Sequence, residues 1–202
     1  MKAETVKKID SILAYIKGEL ISGFNDDDAI LFVEWSKKKL SDTIKDKKEK
    51  AVLSRLKSCN DEKDKKRLEL TKKKYLPSNY PVNIKVGDIV HVNYGFGFCS
   101  EISNGHYGII LSEFKANTYF VIPLGSEPLK SHPFYFDDLN LPSKSGRIPN
   151  KKSYLQFNQI GSVHYRRLEN IHGCTRQNIG EVKLGIIFNE IRKFLNVGTC
   201  QE

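Results

Sequence analysis

The apolar positions change their period once along the chain. At the start, Val6, Ile9, Leu13, Ile16 and Leu20 recur every three or four residues, which places them on one face of a helix. Gly23 and Asn25 interrupt that face. Asp26, Asp27 and Asp28 then offer a cap and favourable negative charge to the N-terminus of a second helix. No proline occurs from Ala29 to Lys74, where Leu31, Trp35, Leu40, Ile44, Leu53 and Leu56 are the candidate apolar contacts. Ser58-Cys59-Asn60-Asp61 predicts a break between two helices in that stretch. Leu76-Pro77-Ser78-Asn79-Tyr80-Pro81 ends the helical part, because neither proline can continue it.

After Pro81 the pattern becomes that of strands. Residues 88–93, 108–112 and 118–124 are rich in Val, Ile, Tyr or Phe, which suit a pleated, half-buried surface. Pro128, Pro133, Pro142 and Pro149 then predict an extended loop, with one short element at 134–136. Residues 153–157 and 159–163 read as one strand or two abutting ones. Val182, Ile186, Ile187, Ile191, Phe194 and Leu195 give the apolar face of a closing helix over 180–195. The expected class is α+β. A helical region, 1–80, serves as arm, lid or dimerisation element, and a domain over 81–202 forms a small SH3-like β-barrel with a C-terminal helix.

Composition narrows the partners. The chain has 202 residues and a formal net charge of +9, a balance that favours polyanions, nucleic acid first. Residues 45–50 and 61–74 are nearly all charged. They read as a solvated helical face, as an arm along RNA phosphates that the interleaved Asp and Glu would oppose, or as a lid or dimer arm. No apolar run approaches the ~20 residues of a membrane span, and the start lacks the continuous apolar core of a signal peptide. Cys59, Cys99, Cys174 and Cys200 show no paired spacing, which predicts free thiols in a reducing cytoplasm.

Motifs narrow the chemistry. Gly95-Phe96-Gly97 has no third glycine and no helix after it, so it reads as a turn rather than a dinucleotide site. His91, His106, His132, His164 and His172, taken with Cys99 and Cys174, lack structural-zinc spacing, so neither metal nor cofactor is expected. Neither a nucleophile elbow nor a phosphate-binding P-loop occurs. A polar, glycine-bearing loop between the first two strands places Ser100, Glu101 and His106 close together. An imidazole there can take a proton from a ribose 2′-hydroxyl or give one to a leaving oxygen. Arg166, Arg167 and loop amides would answer the charge that develops on phosphate. Taken alone, a histidine between Gly105 and Tyr107 is more often structural.

Four ordered motifs from Ile84 to Val197 resemble the MazF/PemK (Kid-like) toxins of toxin–antitoxin systems. The opening strand, Gly87-Asp88-Ile89-Val90-His91-Val92, is similar to that family's Gly-Asp-(Ile/Val) strand. Cys99-Ser100-Glu101, then His106-Tyr107 and Gly108-Ile109-Ile110-Leu111-Ser112, resemble its Gly-Ser-Glu loop, Arg-Pro step and apolar strand. Val121-Ile122-Pro123-Leu124-Gly125-Ser126 resembles the strand ending Pro-x-Thr-Ser. Gln159-Ile160-Gly161-Ser162-Val163 and Arg167-Leu168 resemble Gln-Ile-Arg-Thr-Val and Arg-Leu. The resemblance implies an SH3-like barrel, usually a homodimer bound by a cognate antitoxin, that cuts single-stranded RNA without metal through 2′-hydroxyl attack. It assigns His106 as general acid or base, Glu101 as its orienter or a shaper of the loop, and Ser126 to the catalytic set. Ser100, Asn158, Gln159, Arg166 and Arg167 fall to RNA. Three positions depart from the family pattern: His106 stands for its catalytic arginine, Gly125 for its threonine and Gly161 for the arginine after Gln-Ile. A non-catalytic RNA- or protein-binding barrel is the alternative that those departures allow.

Overall fold

The computed structural model describes residues 2–75, 81–95, 101–114, 117–139, 141–143, 146–147, 152–171 and 176–196. The chain divides into two compact units, Met1–Tyr75 and Leu76–Glu202.

The first unit is helical: α1 (Ala3–Gly23), α2 (Asp26–Ser58) and α3 (Glu62–Lys73). Asn25, not the aspartates after it, caps α2. Its side-chain oxygen accepts the Asp28 N–H at 2.9 Å, and its Nδ2 donates to the Asp28 carboxylate at 2.8 Å. The three aspartates fill the first turn, where the helix dipole favours negative charge. Asp61 caps α3 in the same way, accepting the Asp64 N–H at 2.8 Å. α2 packs against α3 and buries Glu49 and Val52. α1 buries none of its residues, so Val6, Ile9 and Leu13 on its apolar face stay exposed.

The second unit is built on antiparallel strands: β1 (Ile89–Gly95), β2 (Asn104–Phe114), β3 (Thr118–Gly125), β4 (Tyr135–Phe136), β5 (Pro142–Ser143), β6 (Gly146–Arg147), β7 (Ser153–Leu155), β8 (Gly161–His164) and β9 (Leu168–Glu169). The helix α4 (Gly180–Phe194) follows. Seven of these strands form one sheet, in the order β4-β7-β3-β2-β1-β9, with β8 pairing the outer half of β3; β5 and β6 pair separately. The stretch read as one strand or two is β7 and β8, parted by a 3-10 turn at Phe157–Gln159.

The central strands bury both faces, which is why they read as continuous apolar runs. Ile89, Ile109 and Ile122 meet Leu155, Phe157 and Ile187 of α4 on one face. Val90, Val92, Ile110 and Val121 meet Val163, Tyr165 and Leu168 on the other. A second 3-10 turn, Tyr165–Arg167, is all that joins β8, lying on β3, to β9, lying on β1. No ladder pairs β8 with β9 among the described residues, so the expected closed barrel is instead a sheet left open at that turn.

Asp88 fixes the approach to β1. Its buried carboxylate accepts the Lys85 N–H at 2.8 Å and Asn178 Nδ2 at 2.9 Å, and it pairs with Arg176 Nε at 3.0 Å. Arg176 also donates to the carbonyls of Val82 and Asn83 at 2.8 Å. The Gly-Asp pair that opens the resemblance is therefore a structural tie between the sheet and the chain entering α4.

Candidate active site

His106 sits on β2, not in the loop where its motif suggests. The strand begins at Asn104, two residues earlier, and pairs His106 with Val92 and Gly105 with Asn93. Alternation along the strand then sends neighbouring side chains to opposite faces. His106 takes the Val92 side, where its ring stands edge-on to Tyr94 with centroids 6.4 Å apart. Tyr107 takes the other side, with His91.

The cavity on the His106 side has a volume of ≈ 640 Å³ and is the larger of two clefts at this end of the sheet. Glu101, His106, Ser126, Asn158 and Gln159 all line it. Glu101, Ser126 and Asn158 are exposed; His106 and Gln159 are half-buried. Gln159 holds the loop wall in place, because its side-chain oxygen accepts the Ile102 N–H at 3.2 Å across a separation of 57 residues. The 3-10 turn presents Asn158 beside it, and the Gln159 N–H closes that turn on the Gln156 carbonyl at 3.0 Å. Ser100 and Cys99 lie outside the described residues.

Gln156 and Lys130 also line this cavity, and motif reading passes over both. Gln156 donates from Nε2 to the Glu127 carbonyl at 2.9 Å and crosses the face of Gly125. Lys130 brings the one permanent positive charge among the described residues of this wall. Nothing in its sequence neighbourhood marks it, since it lies in the proline-bearing loop.

The two arginines assigned to RNA line neither cleft. Arg166 is buried, its guanidinium 5.1 Å from the centroid of the Tyr165 ring. Arg167 donates from Nη1 to the Tyr94 carbonyl at 3.4 Å. Burial pushes the Tyr94 hydroxyl well above the ordinary phenol range, with Arg167 opposing, so the phenol behind His106 stays neutral.

A second, smaller cleft of ≈ 450 Å³ adjoins the first, and His106, Gly125 and Ser126 line both. His91 also lines it. The His91 Nδ1–H donates to Glu169 Oε2 at 3.2 Å, its ring stands edge-on to Tyr107 at 5.6 Å, and it lies across Gly105. The pairing follows from register, since His91 faces Tyr107 on β2 and Glu169 on β9. The visible clue in the sequence is a polar residue alternating with Val90 and Val92; the partner, 78 residues away, has no local signal. Among the described residues no three His, Cys, Asp or Glu side chains converge as metal ligands.

No family model matches the chain, and no curated protein does. Among solved structures it is similar to MazF (Form-I) from Deinococcus radiodurans, at 17% identity over 58% of this chain and 98% of that one, with a TM-score of 0.40. It is also similar to MazE-MazF (Form-II) from Deinococcus radiodurans, at 15% identity over 58% of this chain and 100% of that one, with a TM-score of 0.38. No helix among the described residues is long and apolar enough to cross a membrane.

Proposed function

We propose that the second unit is an endoribonuclease of the MazF/PemK type, cutting single-stranded RNA by 2′-hydroxyl attack without a metal, and that the chain acts as the toxin of a toxin–antitoxin pair. The observation that carries this reading is the single cavity lined by Glu101, His106, Ser126, Asn158 and Gln159. These residues come from three separate stretches of sequence. An imidazole, a carboxylate, a hydroxyl and two amides in one wall suit a phosphodiester flanked by bases.

In this mechanism His106 transfers the proton, taking it from the 2′-hydroxyl or giving it to the leaving 5′-oxygen. Glu101 orients it, while Ser126, Asn158 and Gln159 hold the strand. The guanidinium of the resembled family is missing at this position, and Lys130 supplies positive charge to the phosphate in its place. Arg166 and Arg167 support the wall through Tyr165 and Tyr94. The fold is read as an SH3-like barrel opened between β8 and β9. The reading calls for a cytoplasmic setting, a cognate antitoxin and a second copy of the chain, with residues 1–80 as arm, lid or dimerisation element.

The test is cleavage of mixed RNA in chelator. Removing a general acid or base costs about 10²–10⁴-fold in rate, so His106→Ala loses most cleavage while its circular dichroism matches the wild type. A 2′-deoxy residue at the cut position blocks the cut. Cleavage by His106→Ala within about threefold of wild type would remove histidine from the mechanism. Wild-type protein that binds RNA and cuts none would make this a non-catalytic RNA-binding domain.

A further inference from the structure

The smaller cleft is built around groups the proposed cleavage does not use. Glu169 accepts from His91 Nδ1, which fixes the tautomer and leaves Nε2 as the ring's other polar atom. The ring lies where a side chain on residue 105 would be, since a Cβ on Gly105 would stand 2.6 Å from Nε2. Tyr107 forms the next wall, and its hydroxyl donates to the Pro142 carbonyl at 2.8 Å. That bond fixes the orientation of an aromatic ring in the cleft wall. Asn170 adds an amide to the lining. Lys152 stands at the rim, its ammonium 4.5 Å from the centroid of the Tyr135 ring.

An aromatic wall, an oriented imidazole, an amide and an ammonium in a cleft of ≈ 450 Å³ match the parts of one nucleotide. A base stacks on aromatic rings, an amide reads its edge, and cationic donors meet the phosphate. The two clefts meet at His106, Gly125 and Ser126, so a strand leaving one passes directly into the other. We propose that this second cleft is a nucleotide subsite, binding the base next to the cut and setting which base is preferred there. Its assignment to RNA rests on the endoribonuclease reading. Asn170, Tyr107 and the accepting Nε2 of His91 meet the base, while Lys152 meets its phosphate.

The experiment is a titration of the full-length protein, with histidine and tyrosine isotopically labelled, by the four ribonucleoside 5′-monophosphates. The expected result is a saturable shift of the His91 and Tyr107 ring signals, stronger for one or two bases, with the His106 signal moving less. Lys152→Ala weakens that binding about tenfold, as expected when a charge-assisted hydrogen bond to phosphate is removed. His91→Asn, compared with wild type on a randomised RNA, relaxes the base preference at one position beside the cut. Shifts confined to His106, or none at any nucleotide, would overturn the subsite even if RNA is cut. If wild type cuts no RNA and the nucleotides still move His91, the subsite stands and the endoribonuclease reading fails. Should His91→Asn not fold, the wild-type titration decides alone.

Discussion

Gly125 occupies the position where the resembled strand carries threonine, and its neighbour explains the change. A Cβ on Gly125 would lie 2.6 Å from Gln156 Nε2, closer than real carbon atoms approach. The amide is not idle there: it donates to the Glu127 carbonyl at 2.9 Å, and the Gln156 N–H donates to the Pro123 carbonyl at 2.9 Å. The missing threonine and the glutamine are thus one coupled feature. Gly125→Thr is expected to destabilise the protein by about 1–3 kcal/mol, the usual cost of forcing atoms into occupied space. Adding Gln156→Ala should return much of that stability, giving a coupling of about 1 kcal/mol in a double-mutant cycle. Chemical denaturation of the four proteins measures it, and simple additivity would show that Gln156 is not the obstacle. The same reasoning does not reach Gly161, whose Cβ would meet nothing closer than 3.9 Å; nothing in the structure explains the glycine there. At this scale Glu101, His106, Ser126, Asn158 and Gln159, read separately from motifs, line one cleft, because those motifs lie at strand ends. It misplaces His106 by one element, since the loop's glycines and asparagine mask the point where β2 begins. It misses His91–Glu169 altogether, because register rather than spacing creates that pair.

Elements are legible where one physical signal dominates. Runs of Val, Ile and Phe locate β1, β2 and β3, and three-to-four spacing locates α4 to within a residue. The shorter strands are held by tertiary contacts that no local pattern encodes. Among the described residues β5 and β6 pair only with each other, and β9 is two residues long. The docking of α4 is similar. His132, from the proline-bearing loop, donates from Nε2 to Glu190 Oε2 at 2.8 Å and stands edge-on to Phe157 at 4.8 Å and Phe194 at 5.9 Å. The Lys193 ammonium, hydrogen-bonded to Glu190, holds the Glu190 carboxyl below the usual carboxylate range; burial opposes it and His132 assists. A carboxyl whose folded value is depressed stabilises the fold fully above its unfolded value of about 4.3, and that stability disappears as pH falls through the folded value. The wild type should therefore lose stability on acidification below about pH 4.5 more steeply than Glu190→Gln. Thermal unfolding at stepped pH measures the difference, and parallel curves would show that the Glu190 carboxylate adds no stability through its bonds to Lys193 and His132.

At the scale of the whole chain the question is which parts stand alone. The second unit contains both apolar clusters that surround its sheet, from Ile89 and Val90 at one end to Ile187 on α4 at the other. Its tie at Asp88, Arg176 and Asn178 is likewise internal. A unit that holds its own core and its own buried ion pair has what a domain needs to fold independently. The first unit is different. It is helical throughout its described elements, buries only Glu49 and Val52 in α2 and nothing in α1 or α3, and leaves an apolar stripe on α1 exposed. Helices of that kind owe their stability mainly to tertiary packing, so this unit depends more on what covers it. Deleting residues 1–78 should leave a protein that unfolds in one cooperative step with the sheet signature intact. The complementary fragment, 1–75, should melt gradually. Three further readouts on the shortened protein then separate the roles open to the helices. A cleft-covering arm gives faster RNA cleavage when removed, and a pairing arm gives a smaller assembly on sizing. An RNA arm gives a shallower salt dependence, by roughly one unit of slope for each phosphate that the arm neutralises. If the shortened protein is unfolded, the helices belong to the core of the second unit and the independence argued from its clusters is wrong.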